Sequence, residues 1–155
     1  MKKKILVLIV IVLALVLTSA ITFAISLQPK YNKPSDYNIG TKYEDALNSD
    51  KPMVALFYVD WCGYCMKFMP KYKIINDIYK NNFNFVMLNA EEPANRNLVD
   101  DVKLTGFPTV YIIDPKYDNR VLINGALYQD LMKFRVELDR YLRIRAILDS
   151  AQNKH

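Results

Sequence analysis

The sequence predicts an α/β fold, in which helices flank a central mixed sheet of about four strands and an apolar helix precedes the sheet. Three observations predict it: an uncharged N-terminal block, a continuous apolar run at 53–59, and further short apolar runs that alternate with helical spacing. A continuous apolar run of this length is typical of a strand buried on both faces. The 155 residues suffice for one domain with an appended segment.

The N-terminal block predicts a membrane anchor or a signal peptide over 1–27. Three lysines precede an uncharged stretch from Ile5 to Leu27. As a helix this stretch would be about 34 Å long, enough to cross a hydrocarbon core of ~30 Å. Lysines favour the cytoplasmic side, so we expect a single-pass protein whose C-terminal domain is periplasmic or extracellular. Signal cleavage after 18–20 or 22–24, giving a secreted or periplasmic domain, is the alternative.

The charge distribution argues against nucleic acid as a partner. The net charge is +5, but the rest of the chain contains 18 basic and 16 acidic residues once Lys2, Lys3 and Lys4 are set aside. No run of clustered lysine and arginine provides the basic surface that nucleic acids require. Acidic residues alternate with the arginines at 135, 140, 143 and 145, which predicts a solvated helix face.

The elements of the domain follow in order after a linker. Residues 28–40 contain two prolines, a glycine and polar side chains, which predicts that linker. Thr41 followed by Glu44 matches a capping box and predicts a short helix over 42–49. The predicted strands are 53–59, 83–88, 109–113 and, antiparallel after a turn, 120–123. The further predicted helices are 66–80, 95–104 and 127–151. The predicted domain spans 41–151 and leaves a tail at 152–155.

The segment WCGYC contains both cysteines, Cys62 and Cys65, between a predicted strand and a predicted helix. At this spacing on a first helical turn the Cβ atoms lie ~5–6 Å apart, near the ~3.5–4.5 Å of a disulfide. A structural disulfide would close too short a loop to stabilise the fold much. Zinc needs four ligands, and the chain adds only the terminal His155, so no zinc site is expected. Copper held with Met66 or Met69 stays open, although methionines at helical spacing are typical of a core.

A reversible redox pair accounts best for this placement. Amides at a helix N-terminus stabilise a thiolate, so Cys62 is predicted to attack and Cys65 to resolve the mixed disulfide. No cofactor is required, because the sulfur pair holds the electrons. The expected partners are extracytoplasmic proteins with cysteines, a membrane redox partner that recharges the pair, and the membrane itself. The chain is expected to be a monomer.

From about residue 41 to 140 the chain resembles the thioredoxin family. WCGYC at 61–65 is similar to its W-C-G-x-C active site, and Pro70 is similar to its helix-kinking proline. TGFPT at 105–109 resembles its G-x-P-T loop, and NGAL at 124–127 resembles its V-G-A-L turn. A lone C-x-x-C is a weak signal, whereas four elements in order at compatible spacing are specific.

The resemblance implies roles for a set of residues around the cysteines. The implied catalytic residues are Cys62 and Cys65, supported by Trp61, Gly63, Tyr64 and Pro108. The implied substrate-binding rim is Trp61, Tyr64, Phe107, Pro108 and Gly125. The implied structural residues are Pro70 and Gly106. The resemblance further implies that Pro108 is cis, which leaves the Phe107 backbone free to pair with an extended substrate.

Two departures from the family concern proton transfer and redox potential. Leu56 stands where the family has a buried aspartate that assists the second cysteine, and Met87 stands for the accompanying lysine. Water or Glu91 would have to substitute for that relay. Tyr64 replaces the proline between the cysteines, so we expect a potential less reducing than the about −270 mV of thioredoxin. The direction of electron flow stays open, and a non-catalytic binding or metal-handling module is the rival function.

Overall fold

The structure, a computed structural model, describes residues 2–26 and 31–152, apart from the side chains at positions 24 and 25. The chain forms two compact units that divide after Tyr31. The predicted tail beyond residue 152, and the first positions of the predicted linker, lie outside the described residues.

The N-terminal unit is a single helix, α1 (Lys2–Ser26). Its apolar side chains are exposed, and its stretch from Lys2 to Phe23 has the length and hydropathy of a membrane-crossing helix. Apolar surface of this extent is stable in a hydrocarbon environment rather than in water. The helix therefore fits a membrane span or a signal anchor.

The second unit is built on one four-stranded mixed sheet in the order β2-β1-β3-β4. Its strands are β1 (Met53–Tyr58), β2 (Asn84–Asn89), β3 (Thr109–Asp114) and β4 (Asn119–Ile123). β1 pairs in parallel with β2 and antiparallel with β3, and β4 runs antiparallel to β3. The predicted fold class is confirmed, including the antiparallel fourth strand.

The helices of this unit are α2 (Tyr43–Leu47), α3 (Gly63–Tyr79), α4 (Arg96–Val102), α5 (Gly125–Tyr128) and α6 (Leu131–Gln152). Short 3₁₀ turns lie at Pro34–Asp36, Pro93–Asn95 and Pro115–Tyr117. α3 begins at Gly63, soon after β1 ends at Tyr58, so its first turn lies near the carboxyl end of this central strand. It then connects β1 to the parallel strand β2.

β1 lies at the centre of two hydrophobic clusters, which explains its continuous apolar sequence. Val54 and Leu56 pack in the cluster formed with α3 and α6. Ala55 and Phe57 point to the opposite face and pack in the second cluster. Alternate side chains of a strand point to opposite faces, so a strand covered on both sides needs apolar residues throughout.

Part of the predicted linker belongs to the domain. Pro34 is buried, and Ser35 donates from both its amide and its hydroxyl to the carboxylate of Asp60. Tyr37 and Ile39 pack against the main core. The proline and polar residues that predicted a free linker instead form a docked 3₁₀ turn.

The predicted capping box at Thr41 and Glu44 is wrong. The N-terminal cap of α2 is Lys42, and the Thr41 amide donates instead to the Phe85 carbonyl of β2 at 2.7 Å. Gly40, with φ of +86°, passes so close that a Cβ there would lie 2.0 Å from the same carbonyl oxygen. The Thr41 amide is therefore bonded to the edge strand β2 and is not available for a capping box.

The predicted helix at 127–151 is two helices. α5 ends at Tyr128, and α6 begins at Leu131 after Asp130, whose carboxylate accepts from the amides of Met132 and Lys133. An aspartate at this position satisfies amides that have no partner within the helix, so it starts a new helix. The sequence periodicity continues through the break and hides it.

Candidate active site

Cys62 caps the N-terminus of α3. It has an extended backbone, and its sulfur accepts from the Cys65 amide at 3.2 Å. Cys62 is 7% exposed, which makes it the less buried of the two cysteines. In this cap position the sulfur meets backbone amides that have no partner within the 17-residue helix.

Cys65 lies one turn further into α3 and is fully buried. Burial, reinforced by the adjacent Cys62 sulfur, raises the pKa of the Cys65 thiol to about 12, and the Val59 amide partly opposes this. The two cysteines are free thiols in the structure. A helix-capping sulfur close to the surface and a fully buried, protonated thiol therefore lie one helical turn apart, as a two-step disulfide exchange requires.

The loop before β3 faces Cys62. The Phe107–Pro108 peptide bond is cis, as the family resemblance implied. The Cys62 thiol donates to the Phe107 carbonyl oxygen at 3.5 Å, and Pro108 is buried. On the outer side of the loop the Thr109 hydroxyl donates to the Gly106 carbonyl at 2.7 Å. The loop thus presents a backbone carbonyl to the reactive sulfur.

The surroundings of Cys65 are apolar where the family has a buried charge. Leu56 is fully buried in the same core cluster as Cys65, and it lies opposite Met87 in the β1–β2 register. Glu91, the alternative acid in the sequence interpretation, is exposed and accepts from the Trp61 indole nitrogen at 2.9 Å. Its carboxylate orients Trp61, and among the described residues no hydrogen bond joins it to Cys65.

The rim of aromatic and loop residues has two parts. Trp61 and Tyr64 flank Cys62 in sequence and are 70% and 71% exposed. Phe107, Pro108 and Gly125 line a cavity of about 450 Å³ between the loop before β3 and the turn after β4. The described lining of this cavity does not include Trp61 or Tyr64, so the predicted substrate-binding residues fall into two groups.

The remaining residues that the sequence singled out are one proline, two glycines and a methionine. Pro70 lies within α3. A Cβ added at Gly63 or Gly106 would meet nothing within 4 Å, so crowding does not require glycine at either position. Met69, one of the possible copper ligands, is fully buried in the core cluster.

Two contacts at the site were not predicted from the sequence. The Tyr128 hydroxyl donates to the Pro108 carbonyl, and Ser35 binds Asp60, which lies two residues before Cys62. A buried tyrosine needs a hydrogen-bond partner, so Tyr128 in an apolar stretch signals such a contact without naming its acceptor. No local pattern links Ser35 to Asp60, which are 25 positions apart.

A capping cysteine, a buried partner thiol and a cis-proline loop on this sheet define the class of protein: a dithiol redox protein with a thioredoxin-like fold. The chain belongs to the thioredoxin family, since the family model Thioredoxin matches residues 37–136. This confirms the resemblance seen in the sequence. Relatives named as thioredoxin-like proteins and protein disulfide-isomerases support, in general terms, a thiol–disulfide oxidoreductase.

Curated relatives resemble parts of the chain. The Thioredoxin-like protein HCF164, chloroplastic, of Oryza sativa subsp. japonica is 33% identical over 87 residues, or 56% of this chain and 33% of that protein. Protein disulfide-isomerase A4 of Bos taurus is 34% identical over 85 residues, or 54% of this chain and 13% of that protein. The matched stretch is thus at most a third of either relative.

Solved structures share the fold at low identity. The germline-specific thioredoxin Deadhead of Drosophila melanogaster superposes with a TM-score of 0.52 at 19% identity, covering 73% of this chain and 98% of that one. The Trx4 domain of ERdj5 gives a TM-score of 0.53 at 19% identity, covering 74% and 97%. These likenesses support the thioredoxin-like fold.

Proposed function

We propose that this protein is an extracytoplasmic thiol–disulfide oxidoreductase that acts on protein disulfides or thiols through Cys62 and Cys65. The observation that supports it most directly is the pairing of a helix-capping sulfur, 7% exposed, with a fully buried thiol beside the Phe107–Pro108 loop. A static disulfide would need neither the cap position nor a loop carbonyl facing the sulfur.

The reaction has two exchange steps. The Cys62 thiolate attacks one sulfur of a substrate disulfide, which forms a mixed disulfide and releases the other substrate sulfur as a thiolate that takes up a proton. Cys65 then loses its proton and attacks the Cys62 sulfur, which releases the second substrate thiol. The substrate gains two electrons and two protons, and the protein pair becomes a disulfide. The reverse sequence oxidises a substrate dithiol.

Deprotonation of Cys65 is the step that its apolar surroundings make energetically costly. Burial favours the neutral thiol, and Leu56 offers no acceptor where a carboxylate would. The departing substrate thiolate is a base that the reaction itself supplies beside Cys65. We propose that it accepts this proton in the second step.

The substrate would be an extended, cysteine-containing protein segment. Its backbone would lie along the Phe107–Pro108 loop, and its apolar side chains would contact Trp61 and Tyr64, which together expose large aromatic surface. No cofactor is needed. A membrane redox partner would restore the pair, and α1, as an uncleaved anchor, would hold the domain on the outer side because of its three N-terminal lysines.

A trapping experiment tests this function. In Cys65→Ser the second step is blocked, so we expect mixed disulfides between Cys62 and substrate proteins to accumulate on non-reducing gels and to disappear with dithiothreitol. Cys62→Ser, which removes the attacking sulfur but keeps the buried thiol, is the matched control and should form none. The wild-type chain should also reduce insulin with dithiothreitol as the reductant.

The rival function is a non-catalytic binding or metal-handling module with the same fold. Absence of adducts in Cys65→Ser, together with absence of insulin reduction by the wild-type chain, would reject catalysis and favour this rival. Copper that copurifies with the chain and depends on both cysteines would favour metal handling.

A further inference from the structure

Tyr128 is a buried tyrosine at the junction of the segments that surround Cys62. It ends α5, is 6% exposed, and its hydroxyl donates to the Pro108 carbonyl at 2.5 Å. The two residues are 20 positions apart in sequence. The hydrogen bond therefore ties the helix after β4 to the loop before β3.

The Tyr128 side chain contacts three parts of the site at once. Its hydroxyl lies on the Pro108 carbonyl and close to Gly125, where an added Cβ would be 3.4 Å from the hydroxyl oxygen. Its ring packs at a centroid distance of 5.1 Å on Phe68 of α3, the helix that begins at the cysteines. One side chain thus spans the loop, the turn and the catalytic helix.

The loop that Tyr128 holds is the one that faces the reactive sulfur. Phe107, directly before Pro108, has its carbonyl 3.5 Å from the Cys62 sulfur. The second tie of the loop, from Thr109 to the Gly106 carbonyl, is exposed to solvent. A buried hydrogen bond holds geometry more strongly than an exposed one, because water cannot replace the lost partner.

The hydroxyl remains a hydrogen-bond donor under the conditions of exchange. Burial raises the pKa of Tyr128, and the negative charge that develops on Cys65 and Cys62 raises it further. The phenol is therefore protonated when either sulfur is a thiolate. Its hydrogen bond to Pro108 is available throughout the reaction.

We propose that Tyr128 is a positioning residue for disulfide exchange: it fixes the Phe107–Pro108 backbone at the distance from Cys62 at which an extended substrate docks. This role rests on the proposed function of the Cys62–Cys65 pair. It predicts that loss of the hydroxyl weakens productive binding of a polypeptide substrate. A small disulfide that does not lie along the loop should react as before.

The variant that tests the role is Tyr128→Phe, which removes one oxygen and keeps the ring. Tyr72→Phe is the matched control, because Tyr72 is also buried and its hydroxyl also lies on backbone carbonyls, those of Val54 and Val86. Each change removes a hydroxyl that donates a hydrogen bond to a backbone carbonyl in the protein interior. The full chain in mild detergent is used for each, and thermal unfolding shows that each variant is folded.

Insulin reduction with dithiothreitol as the reductant should separate the two variants. We expect KM for insulin to rise about three- to tenfold in Tyr128→Phe with kcat changed less than twofold, corresponding to the ~0.5–1.5 kcal/mol of one hydrogen bond. Tyr72→Phe should keep the wild-type KM. Both variants should reduce 5,5′-dithiobis(2-nitrobenzoate), a small disulfide, within twofold of the wild-type rate.

Three outcomes would overturn the proposal. Equal insulin KM values in the two variants would reduce Tyr128 to a structural residue. An equal loss with insulin and with the small disulfide would mean a general disturbance of Cys62 rather than of substrate docking. A wild-type chain that does not reduce insulin at all would overturn the proposed function itself, and that result is distinct because it needs no variant.

Discussion

At the scale of single residues, Cys65 is the group whose chemistry the fold changes most. It lies in the same core cluster as Leu56, which stands where the family pattern has a carboxylate, and its thiol is protonated well above neutral pH. Apolar surroundings favour the uncharged form of an acid. The fold therefore keeps the Cys65 thiol in its unreactive, protonated form at neutral pH.

This pKa predicts how the stability of the reduced protein depends on pH. An unfolded cysteine titrates near 8.5, whereas the folded Cys65 titrates at about 12. Between these values the unfolded chain has lost a proton that the folded chain keeps, so the free energy of unfolding falls as pH rises. The contribution is complete below about pH 8.5 and is lost as pH approaches 12.

Urea unfolding of the reduced chain at pH 7, 8.5 and 10 checks this prediction, with Cys65→Ala as the control. We expect the free energy of unfolding of the wild-type chain to fall more steeply above pH 8.5 than that of the variant. The buried tyrosines are the same in both proteins, so their contribution to the pH dependence cancels in the comparison. Parallel pH curves for the two would show that Cys65 does not titrate as the structure indicates.

The residues of the site differ in how far the sequence could predict them. Cys62 and Cys65 follow from a local motif, and Pro108 follows from a second motif at a compatible distance. Tyr128 does not, because its role depends on a hydroxyl that meets a carbonyl 20 positions away. Contacts of that kind arise from tertiary packing, which local patterns do not encode.

At the scale of elements, the second half of α6 is held to the sheet by a buried ion pair. Asp114, fully buried at the end of β3, accepts from the Arg145 guanidinium at 2.7 Å and from the Tyr141 hydroxyl at 3.2 Å. Arg145 also donates to the Asp50 carbonyl. The sequence analysis interpreted the arginines at 135, 140, 143 and 145 as a solvated helix face. That interpretation is wrong for Arg145, which joins this part of α6 to the sheet.

Removing the arginine should leave a buried carboxylate without its charge partner. We expect Arg145→Ala to lower the free energy of unfolding by about 2–4 kcal/mol, because an unpaired buried charge is costly. Arg143→Ala, an exposed position on the same helix, is the control and should change it by about 0.5 kcal/mol or less. Urea unfolding at neutral pH measures both, and equal losses would contradict the ion pair's role.

The strands were predictable because buried strands consist mainly of apolar residues. β1 is apolar at every position and is covered on both faces, and the predicted strands overlap the four observed ones. The errors fall where a tertiary contact or a cap interrupts a regular pattern. Thr41 turns to Phe85 instead of capping a helix, and Asp130 divides a helix whose periodicity is continuous.

At the scale of the whole molecule, the chain combines an apolar helix that fits a membrane span with a thioredoxin-family domain. The domain has the parts needed to exchange disulfides: a capping sulfur, a buried thiol and a loop that faces them. Oxidation and reduction use the same parts, so the redox potential of the pair decides which direction the protein supports.

The central claim is that Cys62 and Cys65 form a reversible two-electron couple, and a redox titration in glutathione buffers tests it most directly. Trp61, the single tryptophan of the chain, lies beside Cys62 and reports the redox state by its fluorescence. We expect one reversible transition with a midpoint above the about −270 mV of thioredoxin, and no transition in Cys62→Ser, which keeps only the buried thiol. A pair that stays reduced or stays oxidised across the whole range would contradict the account.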